Sequence, residues 1–355
     1  MLQKLKKRIT KAKKEDLPFV IYNKPNSKKV SAFFQKDNHL NFQADFVESG
    51  FIFAPFDNKQ PSIIFPKQKC EFFQEEIKGD VFKAKFSNLK TQFDHKNDQV
   101  ERQKHITLVK KGINYLEENQ ALKVVLSRKE DIDIKSIDTL DIFINLLNNY
   151  PGAFVYLWYH PKIGLWMGAS PETLLDVKNK HFETMALAGT QIFNGDLEII
   201  WGDKEKEEQQ IVTDYIVNQL TSFNLSVSLP FTKRAGNLAH ICTEISGELK
   251  KSDHIGLLVE ALHPTPAVCG LPKDKAIAFI IDNEKYNRQY YTGYLGELNI
   301  KENCHLFVNL RCMQIDKQKA SLYIGGGITG GSNPEMEWEE TVAKSEVMKR
   351  VLVHQ

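Results

Sequence analysis

Cysteine is scarce and badly placed for cross-linking. The 355 residues hold five, Cys70, Cys242, Cys269, Cys304 and Cys312, an odd total with no Cys-x-x-Cys pair. This usage excludes a disulfide framework and belongs to a reducing compartment with buried thiols, so a cytoplasmic protein is expected. A surplus of one charge sign is also missing, since 47 Lys and Arg stand against 45 Asp and Glu for a net charge of +2. With no basic stripe interleaved with aromatics, a nucleic-acid partner is excluded and a small molecule is the natural one. No apolar run approaches a membrane span, and no signal-peptide core follows the basic start. There, Lys4, Lys6, Lys7, Arg8, Lys11, Lys13 and Lys14 read as a solvated or frayed helix face. Internal repeats and low-complexity linkers are absent.

What the chain does have is a change of texture. Up to about residue 97, short β-type runs such as Phe51-Ile-Phe-Ala54 and Ser62-Ile-Ile-Phe65 alternate with Pro, Asn, Asp and Lys clusters, which reads as strands joined by turns. From residue 98, Ile106, Val109, Ile113 and Leu116 fall at helical spacing, and Lys123-Val-Val-Leu-Ser-Arg128 reads as a strand. Further strands are expected at Ala153–Tyr159, Leu165–Ala169, Thr184–Leu187, His305–Gln314 and Ala320–Ile324, with helices over Asp203–Leu220 and Pro334–His354. The last opens on Ser332-Asn-Pro-Glu335, a capping residue followed by a first-turn proline. The pattern is α+β, large sheets with helices on their outer faces, and residues 1–97 contribute a β-rich region to the same fold as residues 98–355.

Several residues stand out chemically. On the final helix Glu337, Glu340, Thr341 and Lys344 share one face, a stripe that could bind a metal ion but on an isolated helix reads first as a solvated face with a Glu340–Lys344 ion pair. Before it, Tyr323 to Ser332 reads as a strand entering a glycine-rich turn and then the helix N-terminus, where an anion can be held. Gly325, Gly327 and Gly330 satisfy Gly-x-Gly-x-x-Gly, but no P-loop lysine or βαβ unit accompanies them, which argues against a dinucleotide fold. Glu208 lies one turn before Ile211 and Val212, on the inward side of its helix, and with Glu340 could hold magnesium; taken alone it reads first as a first-turn glutamate favoured by the helix dipole. Gly168-Ala-Ser-Pro-Glu172 sets a carboxylate after a strand. Arg311, inside the apolar run Phe307–Met313, needs an anion, either a substrate carboxylate or a structural partner. His240 and His263 lack metal-site spacing and read as hydrogen-bonded core residues.

In order along residues 98 to 353 stand Lys123-Val-Val-Leu-Ser-Arg128, Gly168-Ala-Ser-Pro-Glu172, Leu187-Ala-Gly-Thr190, His240-Ile-Cys-Thr-Glu-Ile-Ser-Gly247, Leu262-His-Pro-Thr-Pro-Ala-Val-Cys-Gly270, Leu310-Arg-Cys312, Gly325-Gly-Gly-Ile328 and Ser332-Asn-Pro-Glu-Met-Glu-Trp-Glu-Glu340-Thr-Val-Ala-Lys344. The series resembles the chorismate-utilising enzymes, the family of isochorismate, salicylate, anthranilate and aminodeoxychorismate synthases. The resemblance implies the anthranilate synthase component I-like fold, Mg2+ as cofactor, and chorismate and isochorismate as ligands of a monomer. It implies that Glu208 and Glu340 ligate the ion, with Glu337 acting through water. It places the substrate against Gly189, Thr190, His263, Arg311, Gly325, Gly327 and Lys344. Lys123 would deprotonate the water attacking C2, and Glu172 would protonate the departing C4 hydroxyl.

Within the family, Lys123 matches members that add water, and Ala188 stands where the aminodeoxychorismate type carries a nucleophilic lysine. An isochorismate synthase serving menaquinone or siderophore synthesis is therefore expected. A salicylate synthase is the alternative, and a silent chorismate binder ranks lowest because Lys123, Glu172, Glu208 and Glu340 are all present. Gln209 departs from the family's usual histidine after the first metal-helix glutamate.

Overall fold

The structure is a computed structural model and describes residues 2–77, 98–118, 121–134, 138–192, 199–235, 238–250 and 255–352. Two antiparallel sheets face each other. Among the described residues the first has nine strands in the order Gly270–Leu271, Lys123–Asp133, Lys319–Ile328, Cys312–Asp316, Gly164–Ser170, Phe154–His160, Phe19–Asn23, Lys29–Gln35 and Cys70–Glu76. The second has ten among the described residues, with His181–Ile192 and Leu238–Glu248 at one end and Tyr294–Ile300 and Gly50–Ala54 toward the other.

Period-two alternation makes this sandwich. Along Phe154–His160, Phe154, Tyr156 and Trp158 point between the sheets onto Phe51, Phe53 and Phe65, while Val155 and Leu157 point outward. The outer face of the first sheet is covered by Leu5, Ile9 and Ala12 of the helix Leu2–Lys14, by the helix Thr139–Asn149, and by Val347 and Met348 of the helix Pro334–Lys349. Val212 and Ile216 of the helix Asp203–Gln219, with Leu258 and Val259 of the helix Ile255–Leu262, cover the second. The α+β architecture with outer helices is thus what the chain forms. Early and late strands interleave: Phe19–Asn23 pairs with residues 155–159, and Gly50–Ala54 with Tyr294–Leu298.

The basic N-terminal helix is docked rather than wholly solvated, because three apolar residues at helical spacing let it bury one face while Lys4, Lys7, Lys11 and Lys14 stay exposed. His305–Gln314 is two strands, not one. Asn303–Val308 belongs to the second sheet and Cys312–Asp316 to the first, and Arg311, at φ +46°, sits in the crossover. Gly325–Gly327 lie within the strand Lys319–Ile328, so the turn begins only at Thr329. The final helix starts as expected, with the Asn333 side chain accepting from the N–H groups of Glu335 and Met336, and ends at Lys349; residues 353 and 354 lie outside the described residues.

Candidate active site

A cavity takes its lining from both sheets, walled by the Gly325–Gly327 stretch, the helices carrying Glu208 and Glu340, and the segments around Glu172, Gly189, Val268, Thr292 and Arg311. Its chemistry starts at the first residue of a strand. Lys123 is 1% exposed, and its Nζ lies 2.8 Å from Glu208 Oε1. Burial opposes charge on Glu208, but the Lys123 ammonium, with Lys344 and Lys204 beyond it, outweighs that and holds the carboxyl below its ordinary range. Gly327 makes room for the pair: a Cβ there would stand 2.4 Å from Glu208 Oε1 and 2.8 Å from Lys123 Cε.

Two more lysine–carboxylate pairs stand beside it. Lys204 Nζ is 2.9 Å from Glu337 Oε1, and Lys344 Nζ is 2.7 Å from Glu340 Oε1. Burial, then the neighbouring Glu340 carboxylate, pushes Glu337 up. Among the described residues no three His, Cys, Asp or Glu side chains already form a metal-ligating cluster, and each of these glutamates is engaged by a lysine instead. As oxygen-only donors on two facing helices, with Glu337 and Glu340 both turned to the bare Cα of Gly326, the three carboxylates suit a hard divalent cation that displaces the lysines.

Anion donors follow from strand register. Ser127 N–H donates to Glu284 Oε1 (2.7 Å), and Val125 uses its N–H on Cys269 O (2.9 Å) and its C=O on Arg288 Nη2 (2.7 Å), all on the edge away from the glycine strand. Opposite residues of an antiparallel pair turn their hydrogen-bonding groups the same way, toward each other or apart. Gly325 and Gly327, opposite Ser127 and Val125, therefore turn their N–H and C=O outward to the cavity, where the adjoining strand has ended at Cys312. Lys344 Nζ donates to that Gly325 carbonyl at 3.0 Å.

Arg311 Nη2 lies 3.1 Å from His240 Nε2, and His240 Nδ1 lies 3.0 Å from Gly189 O. Burial first, then Arg311 and Lys344, depress His240 to about 3, so it is neutral; Nδ1–H donates to the carbonyl and Nε2 accepts from the guanidinium. Arg311, brought down to about 10 by burial, keeps its charge at neutral pH. On another wall Glu172, 3% exposed, is pushed up to about 8 by burial, which Lys123 and Lys233 only partly offset.

The cavity gathers Glu172, Gly189, Glu208, Arg311, Gly325, Gly327, Glu340 and Lys344 into its lining, with Lys123 and Glu337 one contact behind. The side chain of Thr190 lies outside the described residues. His263 is not brought to the wall, because its Nε2 is taken by Pro55 O at 3.0 Å and its ring packs edge-on to Tyr294; Ala267 and Val268 of the same segment line the cavity instead. Gln209 is buried and donates to Thr213 and Thr243 hydroxyls, a neutral lock inside the helix–sheet contact. Sequence reasoning missed Lys204, Tyr291 and Thr292 and passed His240 over as a core residue. Lys204 was detectable, one helical turn before Glu208.

Sheet sandwich, carboxylate trio and anion wall define a chorismate-binding enzyme: the family described as chorismate binding enzymes matches residues 63–353, and the chain belongs to it. Among its relatives is the salicylate biosynthesis isochorismate synthase of Pseudomonas aeruginosa, 28% identical over 263 residues, which are 71% of this chain and 55% of that one. Another is the isochorismate synthase EntC of Escherichia coli K12, 25% identical over 309 residues, 84% of this chain and 79% of that one. The chain thus spans about half the length of the first and most of the second. Among solved structures, DhbC from Bacillus anthracis superposes with a TM-score of 0.80 over 98% of both chains at 23% identity, a likeness of fold.

Proposed function

We propose that this chain is an isochorismate synthase that adds water to C2 of chorismate and expels the C4 hydroxyl. The observation carrying the reading is that one cavity is served by both Lys123, behind Glu208, and Glu172, a lining carboxyl that burial keeps protonated near neutral pH. In its neutral form Lys123 can accept the proton of water, and Glu172 can give one to the leaving hydroxyl, so atoms and charge balance within the ring. Both named relatives are isochorismate synthases, which supports the water-adding reading over an ammonia-adding one. Ala188 in the cavity wall offers no nucleophile for a covalent route.

Glu208, Glu340 and, through water, Glu337 would hold Mg2+, which when bound supplies positive charge for the ring carboxylate of chorismate. Arg311, fixed by His240, would take the enolpyruvyl carboxylate with the outward N–H groups of Gly325 and Gly327, and Lys344 would add charge beside them. Among the described residues no helix is long and apolar enough to cross a membrane, and the five cysteines are free and buried; we place the enzyme in the cytoplasm as a monomer serving menaquinone or siderophore synthesis.

The test is incubation of the purified protein with chorismate and Mg2+, with and without EDTA, resolving isochorismate, salicylate and pyruvate by liquid chromatography. Magnesium-dependent isochorismate without early pyruvate is expected. Stoichiometric salicylate and pyruvate would make the chain a salicylate synthase, and no conversion would overturn the enzymatic reading.

A further inference from the structure

Behind the cavity wall, one buried guanidinium uses all five of its N–H donors. Arg288 is 3% exposed and follows the helix Lys273–Asn283. Its Nε and one Nη2 hydrogen go to the two oxygens of Glu284, at 2.8 and 2.6 Å. The other Nη2 hydrogen goes to Val125 O at 2.7 Å, and Nη1 divides between Val268 O at 2.9 Å and Thr292 Oγ1 at 3.3 Å. The Phe56 ring closes one face, 4.6 Å from the guanidinium carbon.

The destinations matter more than the count. Val125, Val268 and Thr292 all line the cavity, and they come from three segments far apart in the chain. The strand carrying Lys123 needs this support, because among the described residues the one strand on its outer edge is Gly270–Leu271, opposite Val124 and Lys123, extended by the Val125 N–H bond to Cys269 O. Past that two-residue strand, Arg288 takes the Val125 carbonyl and Glu284 takes the Ser127 N–H and hydroxyl, each at 2.7 Å. The pair stands in for a missing strand just where the edge would otherwise lack partners. A lysine could replace the charge but not the planar fork that reaches three directions at once.

We propose that the Glu284–Arg288 pair is a positioning device for the reaction: it sets the strand bearing Lys123, and through Val268 and Thr292 two further walls of the cavity, in the geometry that turnover requires. The inference rests on Lys123 being the base. Misplacement of a reacting group by about 1 Å costs on the order of 100-fold in rate.

The test compares wild type with Arg288→Lys and Glu284→Gln at 10 °C, with kcat expressed per folded molecule from circular dichroism. Arg288→Lys is expected to lose about 100-fold in kcat with chorismate KM changed less than threefold, because the anion donors stand on other segments. Glu284→Gln, which keeps an acceptor for Ser127 and leaves the guanidinium its carbonyl contacts, is expected to lose less. Amide exchange at Ser127 is expected to quicken in both. That readout, with the Lys123–Glu208 distance in a crystal structure of Arg288→Lys, stands even if wild type converts no chorismate. A folded Arg288→Lys variant with wild-type kcat, or Ser127 exchange unchanged in both variants, would overturn the proposal. If Arg288→Lys does not fold, Glu284→Gln decides it by the same two readings.

Discussion

Glu172 is nearly inaccessible to water, and burial moves its carboxyl from 4.5 to about 8, so the proton that a general acid needs is present at neutral pH. Activity should therefore fall as pH rises through about 8, read as the alkaline limb of kcat against pH. Stability follows the same sign. The folded state binds this proton more tightly than the unfolded state, so the protein loses stability as pH climbs from about 4.5 to about 8, by roughly 1.4 kcal/mol for each unit of displacement. Glu172→Gln, which mimics the protonated group, should remove that loss. The variant should melt higher than wild type at pH 9 and about equally at pH 4, while turnover drops by about 10² to 10⁴ with chorismate binding retained. Lys123→Ala should likewise abolish turnover and spare chorismate and Mg2+ binding, measured by calorimetry. It should also destabilise the fold by about 1–3 kcal/mol in urea, since the partly buried Glu208 is left without its ammonium.

Two elements decide whether these groups meet. The strand Lys319–Ile328 can run beside Lys123 only because Gly327 presents no Cβ toward the Lys123–Glu208 pair. Gly327→Ala should part them, leaving far-ultraviolet circular dichroism unchanged while turnover is lost and Mg2+ affinity falls at least tenfold. The final helix is aimed by its N-cap. Removing the Asn333 oxygen, which accepts from two backbone N–H groups, should cost about 1 kcal/mol in urea denaturation. That cap was legible in Ser332-Asn-Pro-Glu335 because capping is local chemistry. The break at Arg311 was not, because the apolar pattern from Phe307 to Met313 continues across it; which sheet each half joins is settled by partners elsewhere in the chain.

At the scale of the whole molecule, strands from the first 77 residues are built into both sheets, so the site has no independent catalytic half. Deleting residues 2–77 should uncover Phe154, Tyr156 and Trp158 and leave no cooperative thermal transition. Mg2+ should raise the melting temperature of the intact chain, and Glu340→Ala should weaken that rise and the magnesium dependence together. The sequence by itself determined the kind of chemistry: ordered motifs, the helical spacing that puts Glu337, Glu340 and Lys344 on one face, and an α+β alternation, all of which are short-range patterns. The tertiary structure alone decided that Glu172 holds its proton, that Glu208 meets Lys123 and Glu337 meets Lys204, that His240 steadies Arg311 while His263 turns to Pro55, and that Arg288 ties three walls together. Those outcomes depend on burial and on contacts between residues far apart in the chain, and neither has a period or a spacing that a linear pattern records.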